Sequence, residues 1–402
     1  MIPVSSLWLA STLTCSVDFW ITYLGDDTSM TDSITDSMAP FVTEHHAVRY
    51  LRSPQAIREQ CTLLFEQACD DRLTHFRCNL SQLDRVAQYV ITVMQQSYPD
   101  GAIPFHSRWR HFEAGGIDRS IWIEQKLAGL TALEKARAKF DLAVVSVLLD
   151  AGAGAEWRYI EPGTGQVYQR SEGLAVASLH CFLNGQFSDD PSQLQANAAG
   201  LQAVTPASLA EGFQVVENNP LIGVAGRAAL MQQLGQVLPN YPHLFGKNGE
   251  AHLPRPGYLV DYFLQHADQN LLKASEVFAA VLEGLSEIWA GRVTIAGANL
   301  GDVWYHAALP DRGIGSQFVP FHKLSQWLTY SLLEPLQELG LKITDLDELT
   351  GLPEYRNGGL CLDLGLLQAK HDAAFSQPHS VDSEVIVEWR ALTVILLDRI
   401  AA

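Results

Sequence analysis

The chain of 402 residues is 47% hydrophobic and 18% charged, a composition typical of a globular protein rather than of a disordered one. Its formal net charge of -18 argues against a nucleic-acid partner, because a nucleic-acid surface needs a basic patch. The six cysteines are scattered, and no pair has Cys-x-x-Cys spacing. We therefore expect a cytoplasmic protein with reduced thiols.

The N-terminal region has a different composition from the rest of the chain. Its apolar stretch is interrupted by Asp18, and no lysine or arginine precedes that stretch, unlike in a signal peptide. An aspartate near the centre makes a membrane-spanning helix costly. We expect residues 1–40 to be a disordered extension or a mis-assigned start, with translation beginning at Met30 or Met38, and residues 41–402 to form the functional domain. A weak membrane anchor is the alternative, although we predict no membrane partner.

Helical periodicity dominates the remaining chain. Amphipathic stripes cover residues 56–71 and 80–96, and the pattern in 132–152 becomes apolar on all sides, which predicts a buried central helix. Aromatic and β-branched residues around Pro-Gly-Thr-Gly predict a β-hairpin within 156–171. Further helices are predicted at residues 172–184, 206–216, 223–237, 273–290, 320–339 and 383–401. The sequence therefore predicts a mainly α fold, built as one large helical domain with a small β-hairpin.

The segment from Asp100 to Trp122 is the first candidate site. It combines arginines, histidines and aromatic side chains around a Gly-Gly turn. Guanidinium groups suit phosphate or carboxylate ligands, and neighbouring rings can exclude water. We expect the segment to bind an anionic ligand; a structural arginine network that fixes a loop is the alternative. No third metal ligand is evident beside its two histidines, so no metal is predicted. Its candidate binding residues are His106, Arg108, Trp109, Arg110, Asp118 and Arg119.

Two shorter segments offer further candidates. Asp302 and His306 alternate with apolar residues, a pattern that a helix-capping aspartate largely explains. Lys323 begins a predicted helix, with Gln326 and Tyr330 on the same face. Because a lysine at a helix N-terminus opposes the helix dipole, we expect an anionic partner, which is either a ligand or a nearby acid.

The last candidates lie near the C-terminus. Glu354 and Arg356 precede Asn357 and a Gly-Gly pair, which permits a positive φ or a close approach of the backbone to another group. From the residues alone, a plain ion pair between Glu354 and Arg356 is the favoured interpretation, and an active carboxylate with its positioning cation is the other. Glu388 lies in an apolar helix, so we expect it to be partly buried and paired with an arginine such as Arg356.

Several long motifs resemble the uracil-catabolism protein four family of fungi and bacteria, from about residue 40 to the C-terminus. That family is linked to a pathway that opens the uracil ring at the nucleoside or nucleotide level and leads through ribosylurea to urea. The resemblance therefore implies action on a ribosylurea-type intermediate. The motifs that carry it are "DGAIPFHSRWRHFEAGGIDR", "SVLLDAGAG", "RSEGLAVASL", "PFHKLSQWLTYSLLEPL" and "LTGLPEYRNGG".

The C-terminal third also resembles the queuosine salvage family of N-ribosyl hydrolases, which have a helical, DNA-glycosylase-like fold of the helix-hairpin-helix type. Residues 322–326 are similar to a helix that begins Lys-Arg-Ala-Gln, and Glu388 to Ala391 are similar to a Glu-x-Glu-Ile-Arg-Ala helix. Residues 349–356 are similar to Leu-Thr-x-x-x-Asp-Tyr-Arg, so that family's catalytic aspartate falls on Glu354. The chain departs from the pattern where Asn357-Gly358-Gly359 replaces Val-Pro-Gln.

Together the resemblances imply a hydrolase that cleaves the N-ribosidic bond of ribosylurea, or of its phosphate, and releases urea without a cofactor. Glu354 would be the catalytic carboxylate, and a small ribosyl molecule would be the substrate. One alternative is a uracil phosphoribosyltransferase-type enzyme, although no Rossmann-like pattern is found; another is a non-enzymatic helical scaffold for pathway enzymes. The substrate-binding residues would be Lys323, Arg356, Asn357, His106, Arg108, Arg110, Asp118, Arg119, Tyr330, Trp109, Asp302, His306 and Glu388.

Overall fold

A computed structural model describes residues 43–247, 253–289 and 291–402. These residues are mainly helical, with a few short strands, and the predicted mainly α class is therefore confirmed. The DNA-glycosylase-like core and the single large domain stay predictions. The predicted extension, the alternative starts at Met30 and Met38 and the alternative membrane anchor lie outside the described residues. No helix within the described ranges combines the length and apolarity needed to cross a bilayer.

The helices vary from one turn to five. In chain order they are α1 (Glu44–Leu51), α2 (Pro54–Cys69), α3 (Leu83–Ser97), α4 (Arg108–Phe112), α5 (Ser120–Lys126), α6 (Ala132–Leu148), α7 (Arg170–Leu183), α8 (Ala198–Gln202), α9 (Pro206–Gly212), α10 (Val224–Val237), α11 (Pro242–Phe245), α12 (Leu259–His266), α13 (Ala274–Leu285), α14 (Lys323–Glu338), α15 (Tyr355–Asp363), α16 (Ala373–Ser376) and α17 (Glu384–Ala401).

The strands pair only two at a time within the described ranges. Four pairs are antiparallel (β1 with β10, β2 with β3, β5 with β6, β7 with β8), and β4 pairs with β9 in parallel. The strands are β1 (Phe76–Cys78), β2 (Tyr159–Ile160), β3 (Val167–Tyr168), β4 (Leu271–Lys273), β5 (Thr294–Ile295), β6 (Ala298–Asn299), β7 (Val303–Tyr305), β8 (Phe318–Pro320), β9 (Lys342–Thr344) and β10 (Leu367–Ala369).

Contacts divide the chain into two compact units, each discontinuous in sequence. The first unit comprises residues 43–106, Gly291–Gln326 and Asp345–Ala402. The second comprises the described part of Ser107–Ala290 and Trp327–Thr344.

The first unit is built around its C-terminal helix. Helix α17 packs against α2, α3 and α15, and its residues 385–388 and 390–397 are buried. Helix α2 begins at Pro54 because Ser53 accepts the backbone N–H of Ala56, and it turns its apolar stripe towards α17. The amphipathic pattern of residues 56–71 therefore predicted this helix correctly. The core of the unit lies between the apolar faces of α17 and its neighbours.

The second unit is built around α6, the predicted central helix. Thr131 caps its N-terminus by accepting the Glu134 backbone N–H, and residues 136–148 are buried without a break. Helices α4, α7, α10 and α12 pack around it. The predicted hairpin is confirmed by β2 and β3, which pair in antiparallel register, with Tyr159 opposite Tyr168.

Candidate functional site

Glu354 stands at the start of α15, in the first unit. Its backbone is extended, and its Oε2 accepts a hydrogen bond of 3.2 Å from the backbone N–H of Arg356. The second carboxylate oxygen makes no hydrogen bond or ion pair with the described residues. Asn357, which is buried, donates from Nδ2 to the carbonyl of Leu352 at 3.1 Å and thereby closes the loop before the helix. The fold therefore presents a half-buried carboxylate with one oxygen available to a ligand.

The favoured ion pair between Glu354 and Arg356 is wrong. The carboxylate accepts the main-chain N–H of Arg356, and no ion pair joins it to that guanidinium. The physical reason is local: the two residues are N-cap and second residue of a helix, where a side-chain oxygen accepts an orphan backbone N–H. The arginine side chain itself is exposed.

The Gly-Gly pair has a packing role within α15, a helix that the sequence did not predict. Neither Gly358 nor Gly359 has a positive φ. A Cβ atom on Gly358 would lie 2.3 Å from Nε1 of Trp389 and 2.7 Å from Oγ1 of Thr393, whereas one on Gly359 would meet nothing within 4 Å. The close approach that the glycines permit is therefore that of α17 to α15.

Lys323 is the first residue of α14. Its backbone N–H donates to Oδ2 of Asp302 at 3.1 Å, which satisfies one of the free donors of the helix start. Its ammonium group has neither an ion pair nor a hydrogen bond with any part of the chain that the structure describes. Of the two partners expected for this lysine, a nearby acid within these ranges is excluded. An external anion would meet both the ammonium charge and the positive end of the helix dipole.

Asp302 and Arg390 link the start of α14 to the loop before Glu354. The Asp302 carboxylate accepts both terminal guanidinium nitrogens of Arg390, at 2.8 and 2.7 Å, and Nε1 of Trp304 at 2.7 Å. Arg390 also donates from Nε to the carbonyl of Pro353 at 3.4 Å. Burial raises the pKa of the Asp302 carboxyl, but the Arg390 guanidinium outweighs it, so the pKa is below its ordinary value.

A second link joins the same two segments. Gln326, one turn into α14, accepts the backbone N–H of Thr350 at 2.9 Å and donates to its hydroxyl at 3.0 Å. Together with the Asp302 and Arg390 contacts, this holds the helix start that carries Lys323 beside the loop that leads to Glu354. The structure thus brings Lys323, Asp302 and Glu354 into one region of the first unit.

Arg390 is the residue of this region that sequence reasoning did not single out. It lies in the apolar run of α17, where a charge needs a partner, and that burial was the available signal. Its guanidinium lies 4.1 Å from the ring centroid of Phe321. Because it contacts the loop before Glu354 rather than Glu354 itself, we regard it as a positioning residue.

An aromatic pair flanks Glu354. The ring of Tyr355 is 50% exposed and lies 5.3 Å from the ring of Trp389, centroid to centroid, with an interplanar angle of 36°. An exposed ring beside an available carboxylate can cover a sugar or a planar ureido group.

Glu388 is buried, as predicted, but its predicted arginine partner is wrong. Its carboxylate is 0% exposed and accepts the backbone N–H groups of Thr74, His75 and Phe76 at 3.1, 3.0 and 3.1 Å. These donors compensate the charge without a cation. His306, also buried, places Nε2 3.7 Å from Oε1 of Glu388. The structure thus places Glu388 and His306 together, as a pair that faces the loop before β1.

The three arginines of the first candidate segment each form an ion pair with a carboxylate of the second unit. Arg108 and Arg119, both 0% exposed, pair with Asp150 at 3.1 Å and with Glu161 at 2.6 Å. Arg110 pairs with Glu334 at 2.9 Å and with Glu113 at 3.2 Å. These contacts match the alternative of a structural arginine network.

A cavity of about 250 Å³ lies beside this network. Trp109, Arg110 and Asp118 all line it, together with six further polar or charged side chains and two apolar ones. Its carboxylates outnumber its cations, which disfavours an anionic ligand there. Burial raises the pKa of Glu334 in its wall, although Ser107 and Arg110 oppose the shift. The lining residues are Trp109, Arg110, Phe112, Glu113, Asp118, Ser120, Ile123, Glu124, Lys139, Glu334 and Glu338.

The remaining predicted site residues are placed as follows. Asp118 is exposed and accepts the backbone N–H of Ser120, the first residue of α5, at 2.9 Å. Tyr330 is buried within α14, in the second unit, and His106 is half-buried in the first unit.

Comparison with known proteins gives the chain's family. The family described as "Protein of unknown function (DUF1688)" matches residues 50–402. "Protein urg3" of Schizosaccharomyces pombe (strain 972 / ATCC 24843) is 40% identical over 363 residues, which cover 88% of this chain and 86% of that protein. "Uracil catabolism protein 4" of Lachancea kluyveri is 38% identical over 392 residues, which cover 89% of this chain and 88% of that protein. These matches confirm the predicted resemblance to the uracil-catabolism protein four family, and the chain belongs to the DUF1688 family.

Proposed function

We propose that this protein is an N-ribosyl hydrolase of uracil catabolism that releases urea from ribosylurea or from its 5′-phosphate. A relative of similar length named for uracil catabolism supports the pathway. The observation that carries the reaction is that one region holds both the Glu354 carboxylate, with one oxygen available, and the Lys323 ammonium, which has no ion pair or hydrogen bond among the described residues. A carboxylate suits the cationic transition state of either substrate, and a cation suits the phosphate group of the phosphorylated one.

Water is the only co-reactant that the reaction requires. The bond between C1′ and the ureido nitrogen breaks with its electron pair going to nitrogen, and an oxocarbenium-like charge develops on the sugar. A carboxylate beside C1′ stabilises that charge and takes a proton from the attacking water. The net reaction adds hydroxyl to C1′ and hydrogen to the ureido nitrogen, which gives ribose and urea. We assign the carboxylate role to Glu354.

Lys323 would bind the anionic end of the substrate. Its ammonium adds to the positive potential of the α14 N-terminus, a combination suited to a phosphate. The exposed ring of Tyr355 would cover the sugar or the ureido group. The bidentate Asp302–Arg390 ion pair would hold the start of α14 and the loop before Glu354 in a fixed relative position. Arg108, Arg110 and Arg119 have no part in this proposal because each already pairs with a carboxylate.

The first test is urea release by the purified full chain and by Glu354→Gln. The variant keeps the side-chain length and a capping oxygen but loses the charge. We expect a rate at least ~100-fold lower, the low end of what general acid–base catalysis contributes. The matched control is Glu276→Gln, because Oε2 of Glu276 also accepts a backbone N–H near a helix start, that of Lys273, at 3.2 Å. We expect that control to retain the wild-type rate.

The possible outcomes test the role of Glu354 and the proposed reaction separately. Equal rates for wild type and Glu354→Gln would remove this carboxylate from the chemistry. A similar loss in Glu276→Gln would point to a general stability effect rather than to a catalytic one. No urea release from either substrate by the wild type would contradict the proposed reaction itself.

A second variant tests the binding role of Lys323. Lys323→Met keeps most of the aliphatic chain and removes the charge. If the lysine binds a 5′-phosphate, we expect KM for the phosphorylated substrate to rise ~10-fold or more, since hydrogen bonds to charged groups contribute about 1.5–3 kcal/mol, while KM for ribosylurea stays close to the wild-type value. Equal effects on both substrates would contradict a phosphate-binding role.

A further inference from the structure

A mixed cluster of histidine and carboxylate side chains lies at the start of α17, apart from the Glu354 region. His75, Glu384 and Glu388 each offer one ligand atom, and these atoms all lie within 4.8 Å of one another. Nε2 of His75 is 3.9 Å from Oε2 of Glu384. Imidazole nitrogen with carboxylate oxygen is a donor set that suits Zn²⁺ and similar divalent transition metals. We propose that these three side chains form a binding site for a divalent transition-metal ion, with Zn²⁺ as the expected occupant.

The helix and the loop before β1 pre-organise the ligands. Glu384 and Glu388 are four residues apart in α17, so their carboxylates project from the same face. Oε2 of Glu388 accepts two backbone N–H groups, whereas Oε1 accepts only that of Thr74 and keeps a lone pair. The Thr74 hydroxyl donates to Oε1 of Glu384 at 3.3 Å, which leaves Oε2 towards His75. Both carboxylate ligands are thus oriented by a neighbour, and each retains a free position.

His306 supplies an independent indication that a group outside the chain belongs here. Its side chain is 0% exposed, and its Nε2 has no hydrogen-bond partner in the described residues, although it lies 3.7 Å from Oε1 of Glu388. Nδ1 accepts the backbone N–H of Ala308 at 3.2 Å, so in the neutral ring Nε2 carries the proton. A buried donor left without an acceptor destabilises the fold, because it has lost its hydrogen bond to water without gaining another.

An oxygen bound to the metal would satisfy that donor. Three protein ligands leave a fourth position of a tetrahedral ion for water. Nε2 of His306 lies 3.7 Å from Oε1 of Glu388, the carboxylate oxygen that keeps a lone pair, and its N–H would donate to such a water. His306 would then orient the metal-bound water without ligating the metal, and the ion would tie α17 to the loop before β1.

The test is Zn²⁺ binding by the untagged full chain after chelator treatment and dialysis. We expect calorimetric titration with zinc sulfate to give one ion per chain at this site, and a higher melting temperature with the ion bound. His75→Asn and Glu384→Gln should each weaken Zn²⁺ binding ~10-fold or more, in line with the loss of a ligand or of its support. Both side chains are partly exposed, at 26% and 42%, so the metal-free variants should melt at the wild-type temperature.

The chain offers a matched control in an exposed His–Glu pair. Nε2 of His243 lies 2.8 Å from Oε1 of Glu283, but no third ligand completes a cluster there within the described ranges. We expect His243→Asn to leave Zn²⁺ affinity unchanged. Absence of Zn²⁺ binding by the wild type would overturn the proposal. Wild-type affinity in both cluster variants would do the same, as would an equal loss in His243→Asn.

Discussion

Alanine substitution should affect the free energy of unfolding differently at the two adjacent glycines of α15. Alanine at Gly358 would place Cβ 2.3 Å from Nε1 and 2.8 Å from Cε2 of Trp389, and 2.7 Å from Oγ1 of Thr393. Overpacking of this kind costs about 1–3 kcal/mol. Alanine at Gly359 meets nothing within 4 Å. Replacing a helical glycine by alanine stabilises by about 0.5–1 kcal/mol, and this gain applies to both positions.

The stabilisation that alanine brings to a helix is the same at both positions, so it cancels when the two variants are compared. We therefore expect Gly359→Ala to be about 1–3 kcal/mol more stable than Gly358→Ala, with wild type between them or close to Gly358→Ala. Urea unfolding followed by tryptophan fluorescence measures this difference through the midpoints, at equal slope. Equal stabilisation by both substitutions would refute the close packing of α15 on α17. Equal destabilisation would refute the helical conformation of the pair.

Three further predictions concern charged side chains that are partly or fully buried, and urea unfolding over a pH series measures each of them. Asp302→Asn should cost about 3–5 kcal/mol of unfolding free energy at neutral pH because Arg390 loses its charged partner. Since the folded-state pKa of Asp302 is lowered, wild type should lose this advantage as pH falls below about 4. Parallel pH curves for wild type and variant would contradict the ion pair between Asp302 and Arg390. Because the pKa of Glu334 is raised in the folded state, the stability of the protein should fall as pH rises above about 4. Glu334→Gln should make stability less dependent on pH in this range. An unchanged pH dependence would contradict the raised pKa of Glu334. Arg119→Met should cost about 3–5 kcal/mol by leaving the Glu161 carboxylate buried without its cation. The double variant Arg119→Met/Glu161→Gln should recover part of this loss. Strictly additive costs of the two substitutions would contradict the ion pair between Arg119 and Glu161.

The sequence predicted the fold best where the spacing of apolar residues or the turn residues determine the local structure. Helices α2 and α6 begin within two residues of their predicted starts, and the Pro-Gly-Thr-Gly hairpin forms where its turn residues indicated. Helix α15 was missed because Pro353 before it and two glycines within it read as a loop. Its stability comes from tertiary packing on α17, which local propensity does not report.

The candidate site could be predicted only in part, because its decisive contacts are long-range. Asp302 was expected to cap a helix, and it does accept the backbone N–H of Lys323, but its partner Arg390 is 88 positions further along. The helix dipole predicts an anionic partner for Lys323, and this stays a prediction, because no acid in the described ranges supplies one. Glu354 was singled out through the family resemblance rather than through spacing or composition.

The measurement that most directly tests the proposed reaction is an analysis of which bond of ribosylurea the purified full chain breaks. Cleavage of the N-ribosidic bond predicts urea and ribose in equal amounts, without ammonia, and predicts that Glu354→Gln forms both products at least ~100-fold more slowly. Ammonia in place of urea would show that the ureido group is attacked instead. Intact ribosylurea and intact ribosylurea 5′-phosphate after incubation with active-site concentrations of the protein would contradict the hydrolase account.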